Sequence, residues 1–280
     1  MTIQAPAKVN LVLRVLGKRV DGFHDIETLM VPVTLSDSID IEVSAGDGIE
    51  LACSDPSVPS GPANLVWRAV EAFARHTGLT FRTAIALKKN IPSGAGLGGG
   101  SSDAAAVLTA LNRLLGTGLP DAELEAIAAT LGSDIPFFIR QQPAVCRGRG
   151  EIMEPAGPLP AAEIFLVKPP FPVPTAWAYK SWAQFQKTPG HKDPQLFGGI
   201  ELVNDLELPV FSKFLLLPAL KTWLLAQPEV SAAMMSGSGS TVFAILRDDT
   251  ESLSERIRAH FGAHMWTCKC SFRSGVAFPC

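Results

Sequence analysis

The stretch Pro92-Ser93-Gly94-Ala95-Gly96-Leu97-Gly98-Gly99-Gly100-Ser101-Ser102 places five glycines within seven residues. Ahead of it Phe81, Thr83, Ile85 and Leu87 alternate with Arg82 and Lys88, the period of a half-buried strand. Behind it Val107, Leu108, Leu111, Leu114 and Leu115 fall on one helical stripe, with Asp103 in the first turn and Gly116 as the stop. Glycines let the backbone approach an anion without a Cβ in the way, and the helix N-terminus beyond adds partial positive charge. Strand, glycine loop and helix together read as a phosphate cradle. Gly94-x-Gly96-x-x-Gly99 also satisfies the dinucleotide fingerprint. Against that reading, the preceding strand alternates instead of being continuously apolar, and the next acidic residues, Asp121 and Glu123, open a helix. A P-loop is excluded because no lysine follows the last glycine.

Outward from the loop, Val9 to Val15 and Ile39, Ile41 and Val43 alternate as strands. Asn64 can cap a helix whose face is Leu65, Val66, Ala69, Val70 and Phe73 and which Gly78 can end. A further helix is expected from about Asp121 to Leu131, halting at Gly132. Ser133-Asp134-Ile135-Pro136 cannot continue it, since the residue before a proline is pushed out of the helical region. From Met153 to Pro174 the chain is dense in proline, which sets a domain boundary near residue 155. Strands near 164–168, 241–247 and 264–272 with helices near 218–226 and 250–260 predict a small α+β layer.

The 280 residues carry 24 Lys+Arg against 27 Asp+Glu, a net charge of −3, which argues against a grip on nucleic acid. With 47% hydrophobic and 18% charged residues the chain can bury a substantial core, and disorder is excluded as its ground state. Five sparse cysteines, Cys53, Cys146, Cys268, Cys270 and Cys280, imply no disulfide framework and fit a reducing cytoplasm. Cys268-x-Cys270 near His260 and His264 reads as a helix face followed by a strand sooner than as a zinc site. The opening MTIQAPAKVNLVLRVL alternates like a strand and has no small-residue cleavage site, so no leader peptide is expected. No membrane-spanning helix is expected either.

Several residues stand out for chemistry. A carboxylate flanked by apolar residues, as Asp134 is by Pro136-Phe137-Phe138, is a candidate general base, although taken alone it reads as a turn residue. Lys8, followed by Asn10 on the first strand, is a strand charge or a phosphate partner. His24 beside Phe23 is a surface turn histidine by default, yet the pair suits stacking on and hydrogen bonding to a nucleobase. Tyr179 next to Lys180 reads as core edge plus surface charge. A second glycine-serine loop, Met235-Ser236-Gly237-Ser238-Gly239-Ser240, raises the odds that both loops face one polyanionic ligand.

In order along the chain, APAKVNL (5–11), DGFHDIET (21–28), PSGAGLGGGSSDAA (92–105), GSDIPFF (132–138), GRGE (148–151), NDLE (204–207) and SGSGSTVF (236–243) resemble the GHMP kinase superfamily. DGFH and the opening strand resemble the members that phosphorylate a cytidine-diphosphate-linked methylerythritol on the non-mevalonate route to isoprenoids. The resemblance implies a two-domain α+β fold. Residues 1–155 would be like ribosomal protein S5 domain 2, and residues 156–280 ferredoxin-like, completing a substrate cleft. It implies that Pro92, Ser93, Gly94, Ala95, Gly96, Leu97, Gly98, Gly99, Gly100, Ser101 and Ser102 wrap the phosphates of ATP, with Gly237, Ser238 and Gly239 nearby. Asp134 would take the proton of the substrate 2-hydroxyl while Lys8 orients that hydroxyl and offsets charge. Asn10, Phe23 and His24, with Tyr179 and Lys180, four and five residues after Thr175, would hold the cytidine part. Asn64 would border the adenine pocket. Mg²⁺ is expected with ATP, without a legible carboxylate cage. The expected partner is a small-molecule substrate, with no nucleic acid or membrane. The alternatives are another GHMP kinase acting on homoserine, mevalonate or a sugar, an NAD-dependent oxidoreductase, and a non-catalytic nucleotide sensor.

Overall fold

The computed structural model describes residues 1–185, 194–248 and 252–273. Cys280, with the tail from residue 274, and the start of the helix expected near 250 lie outside the described residues. The chain divides into two compact units, Met1–Ala7 with Leu35–Ser93 and Gly98–Gln142, and Lys8–Thr34 with Gly94–Leu97 and Pro143–Cys280.

The first unit contains the start of β1 (Thr2–Lys18), the end of β2 (His24–Ser44), β3 (Gly48–Cys53), α1 (Leu65–Thr77), β4 (Arg82–Lys88), α2 (Gly99–Leu114), α3 (Asp121–Ala129) and α4 (Phe137–Arg140). β4 pairs antiparallel with β2, Ser38 opposite Lys88 through Ser44 opposite Arg82, and parallel with β3. Thr83, Ile85 and Leu87 are buried and their neighbours are not, which is the alternation visible in the sequence. Asn64 caps α1, its Oδ1 accepting from Val66 N at 2.8 Å, and Gly78 ends it in the left-handed conformation. Both ends of the amide are used, since Nδ2 donates to Pro59 O at 2.6 Å. α2 starts at Gly99, so Asp103 stands in its second turn, not its first. Phe73 on α1 is fully buried and meets Phe81 edge-on at 6.4 Å. Phe73→Ala is expected to lower the unfolding free energy by about 3–5 kcal/mol in denaturant titration, because the cavity adds to the lost transfer energy.

The second unit holds the first half of β2, paired with β5 (Ala144–Gly148), which forms a hairpin with β6 (Ile152–Pro155). β7 (Glu163–Lys168), α5 (Thr175–Trp182), β8 (Gln195–Phe197), β9 (Ile200–Asn204), α6 (Glu207–Lys213), α7 (Leu216–Leu225), β10 (Val230–Met235), β11 (Val242–Leu246), α8 (Leu253–Phe261) and β12 (Trp266–Ser271) follow. β9 lies parallel to β1, Val12 opposite Val203 and Leu13 opposite Asn204. Strand order β10-β11-β7-β12 is all antiparallel. With α7 and α8 as crossovers it is the ferredoxin-like arrangement. β7 is central, and Ile164, Phe165, Leu166 and Val167 are buried on both faces, hence its unbroken apolar run. One face packs Phe165, Val167, Met235 and Val242 with Leu217, Leu220 and Leu224 of α7 and Leu253 and Ile257 of α8. Among the described residues no single helix is long and apolar enough to cross a membrane.

Candidate active site

In the first unit the glycine run feeds straight into α2. Gly98 is the N-cap, left-handed with φ +73°, and offers no side chain to the exposed N–H groups of the first turn. Those donors and the helix dipole therefore make this end of α2 attractive to an anion. Ser102, 1% exposed, has an Oγ without a hydrogen-bond partner among the described residues. Asp134 stands in the turn between α3 and α4, half-buried, between Gly132 and the buried Ile135, Phe137 and Phe138. Ile135 N to Gly132 O and Phe138 N to Ile135 O, 3.3 and 3.0 Å, fix that turn.

A cluster that sequence reading missed lies beside α2. Lys89 Nζ donates to Asp37 and to Asp103 Oδ2, the latter at 2.6 Å, and all three side chains are nearly inaccessible. Asp37 Oδ1 also accepts from Asn90 N and Ile91 N at 2.6 and 2.8 Å. Burial above all, and then the charge of Asp37, pushes the Asp103 carboxyl up to about 7 against the pull of Lys89. A carboxylate in the second turn of α2, ahead of the apolar run Ala104 to Leu108, was its only sequence signal.

In the second unit, residues 94–97 pack directly on the glycine-serine loop. A Cβ on Gly96 would stand 2.3 Å from Ser236 O and 2.9 Å from Gly239 O, so only glycine fits. Gly96 O accepts from Ser236 Oγ at 3.0 Å and Lys8 Nζ at 3.1 Å, Ala95 O from Thr241 N, and Leu97 O from Lys8 N. Lys8 and Asn10 are 4% and 3% exposed. Lys8 Nζ donates to Asn10 Oδ1 at 2.7 Å, and Asn10 Nδ2 donates to Thr28 Oγ1 at 2.7 Å. Thr28 in turn donates to Val12 O. Gly237 sits against this pair, its missing Cβ 3.3 Å from Lys8 Nζ and 3.4 Å from Asn10 Oδ1. Ser238 Oγ meets Thr175 Oγ1 at 2.9 Å.

The loop is braced from NDLE. Asn204 Nδ2 donates to Met235 O and Gly237 O at 2.7 and 2.8 Å. Glu207, fully buried, accepts from Met235 N and from Lys221 Nζ at 2.9 and 2.6 Å. Neither brace was assigned a role from sequence.

His24 lies against Tyr179 in a tilted contact, ring centroids 5.4 Å apart and planes 31° inclined, with Trp182 edge-on at 6.0 Å. Burial, helped by Lys18, holds the imidazole below its usual range, so near neutral pH one ring nitrogen donates and the other accepts. Phe23 is 53% exposed and lies under the Arg149 guanidinium at 5.0 Å. Lys180 is exposed on α5. Among the described residues no three His, Cys, Asp or Glu side chains gather where they could hold a metal ion.

The family description "GHMP kinases N terminal domain" matches residues 64–142 and "GHMP kinases C terminal" matches residues 189–263. That class comprises kinases. A protein named 4-diphosphocytidyl-2-C-methyl-D-erythritol kinase from Methylacidiphilum infernorum is 43% identical, over 94% of this chain and 93% of its own length. Its namesake from Geobacter metallireducens is 40% identical over 90% and 91%. A crystal structure of 4-(cytidine 5'-diphospho)-2C-methyl-D-erythritol kinase superposes with a TM-score of 0.82 at 34% identity, covering 98% of this chain and 100% of that one. The chain belongs to the 4-diphosphocytidyl-2-C-methyl-D-erythritol kinase family of GHMP kinases and is a phosphotransferase with that α+β fold.

Proposed function

We propose that this kinase transfers the γ-phosphoryl group of ATP to the 2-hydroxyl of 4-diphosphocytidyl-2-C-methyl-D-erythritol, on the non-mevalonate route to isoprenoid precursors. The observation that carries the reading is the His24–Tyr179 ring pair in the same unit as the Lys8–Asn10–Gly96 network. An aromatic pair with a neutral imidazole suits a cytosine, and a buried ammonium beside a glycine-serine loop suits a polyanion.

Residues Pro92 to Ser102 wrap the ATP phosphates, with Gly237, Ser238 and Gly239 near them. Asn10, Phe23, His24, Tyr179 and Lys180 hold the cytidine-bearing substrate. Asp134 accepts the hydroxyl proton as the oxygen bonds to the γ-phosphorus and ADP leaves, while Lys8 orients the hydroxyl and offsets charge. A Mg²⁺ carried in on the nucleotide would be held by phosphates and water, and no protein ligand is assigned. Bound so, the ion neutralises phosphate charge. The reading divides the chain near residue 155 into two domains and sets the enzyme in the cytoplasm, acting on a small molecule.

ADP release is measured with purified protein, Mg-ATP and the cytidine compound, beside homoserine, mevalonate and galactose. Turnover with the cytidine compound alone is the expected result; turnover with another acceptor instead would replace the substrate. Tyr179→Ala is expected to raise KM for that substrate about 5- to 150-fold, since base–aromatic stacking contributes about 1–3 kcal/mol. KM for ATP, read in the same assay, stays unchanged.

A further inference from the structure

The Asp37–Lys89–Asp103 cluster takes no part in the chemistry above, yet it lies one helical turn behind the end of α2 that faces the anion. Lys89 Nζ reaches that end as well, 3.3 Å from where a Cβ of Gly99 would be. Two carboxylates share one ammonium here, so with both ionised the buried cluster is net negative. Asp37 is supplied with donors at both oxygens, because its Oδ1 receives two backbone N–H groups and its other oxygen receives Lys89. Asp103 is not: Oδ2 receives Lys89, while Oδ1 has no partner in a residue 2% exposed. An ionised carboxylate oxygen left without a donor in the interior is unfavourable, and the neutral acid relieves it.

Resting on the reading that nucleotide phosphates occupy the first turn of α2, we propose that Asp103 is a positioning residue that takes up a proton as the nucleotide binds and returns it on release. Asp103 lies about 5 Å up the axis from that turn, close enough for the added negative charge to favour its protonated form through a poorly screened interior. Protonation leaves Lys89 paired with Asp37, a neutral pair behind the cradle. The other elements packed on α2 do not supply the charge. Arg68, Glu71 and Arg75 of α1 and Asp121 and Glu123 of α3 are exposed, His76 meets Glu123, and Arg140 of α4 pairs with Glu125. Lys89 and Asp37 are thus the charges that act on Asp103 among the described residues. Its carboxyl already titrates near 7 without ligand, so the sign follows. Below that pH Asp103 is neutral and nucleotide affinity is level; above it each bound nucleotide must recruit a proton, and affinity falls up to about tenfold per pH unit.

The test is infrared difference spectroscopy of the full chain at pH 8, with and without Mg-ADP. A protonated-carboxyl band should appear in the native protein and be missing in Asp103→Asn, which still binds ADP, with an affinity that no longer falls between pH 7 and 8. Should that variant not fold, calorimetry of the native protein in buffers of different ionisation enthalpy decides. Net proton uptake supports the proposal, since nucleotide phosphates only lose protons on binding. ADP binding with neither band nor uptake overturns the proposal and leaves the cradle standing. Absence of ADP binding overturns the cradle reading, and the proposal with it.

Discussion

Gly96→Ala is expected to destabilise the protein by about 2–5 kcal/mol and to lower kcat/KM at least about 100-fold. Three effects add at this one position. The backbone has φ +76°, where an L-residue is strained. The new methyl would overlap Ser236 O and Gly239 O, backbone atoms that cannot rotate away. Gly96 O is also the acceptor of both Lys8 Nζ and Ser236 Oγ, so relieving the overlap by moving the loop unseats the ammonium assigned to the transfer step. Gly116→Ala separates these contributions. It shares the positive φ, +61°, but has open space around its Cβ, so only the conformational penalty of about 1–2 kcal/mol should appear in denaturant unfolding, with turnover retained. Equal behaviour of the two variants would show that the packing of 94–97 on 236–239 does not matter to either property.

What the sequence made legible follows the range of the forces involved. α1 could be bounded from Asn64 and Gly78 because capping is local chemistry, and β4 and β7 could be read because burial on one face or two writes itself into the apolar period. β1 and β2 were legible only in pieces, Val9 to Val15 and Ile39 to Val43, although they run for 17 and 21 residues. Each passes from one compact unit to the other and carries a stretch buried on both faces, residues 5–11 and 28–33, where the alternation is lost. The start of α2 was set too late for a related reason: Gly98 begins the helix without a side-chain cap, so the usual polar start signal is absent. Asp37, Lys89 and Asp103 are separated by 52 and 14 positions and meet only through tertiary packing. Asn204 and Glu207 likewise reveal their role only when Met235 and Gly237 are brought beside them. The glycine loop was legible because backbone conformation is the one property that glycine alone advertises.

Asp134→Asn is expected to reduce kcat about 10²- to 10⁴-fold while KM for ATP and for the acceptor stays close to native. The amide keeps the size of the carboxyl, and backbone bonds of its neighbours hold the turn. Lys8→Met behaves differently. It removes the donor that Asn10 Oδ1 receives in a buried site, while Gly96 O keeps Ser236 Oγ, so about 1–3 kcal/mol of stability goes with the activity. If Lys8 and Asp134 serve one proton-transfer and phosphoryl-transfer step, removing the second after the first adds little. The double variant should then turn over about as slowly as the worse single one, whereas independent roles would multiply the two losses. Native-like kcat in Asp134→Asn would remove it as the base, and a multiplicative double variant would leave it the base while assigning Lys8 to binding and loop support alone.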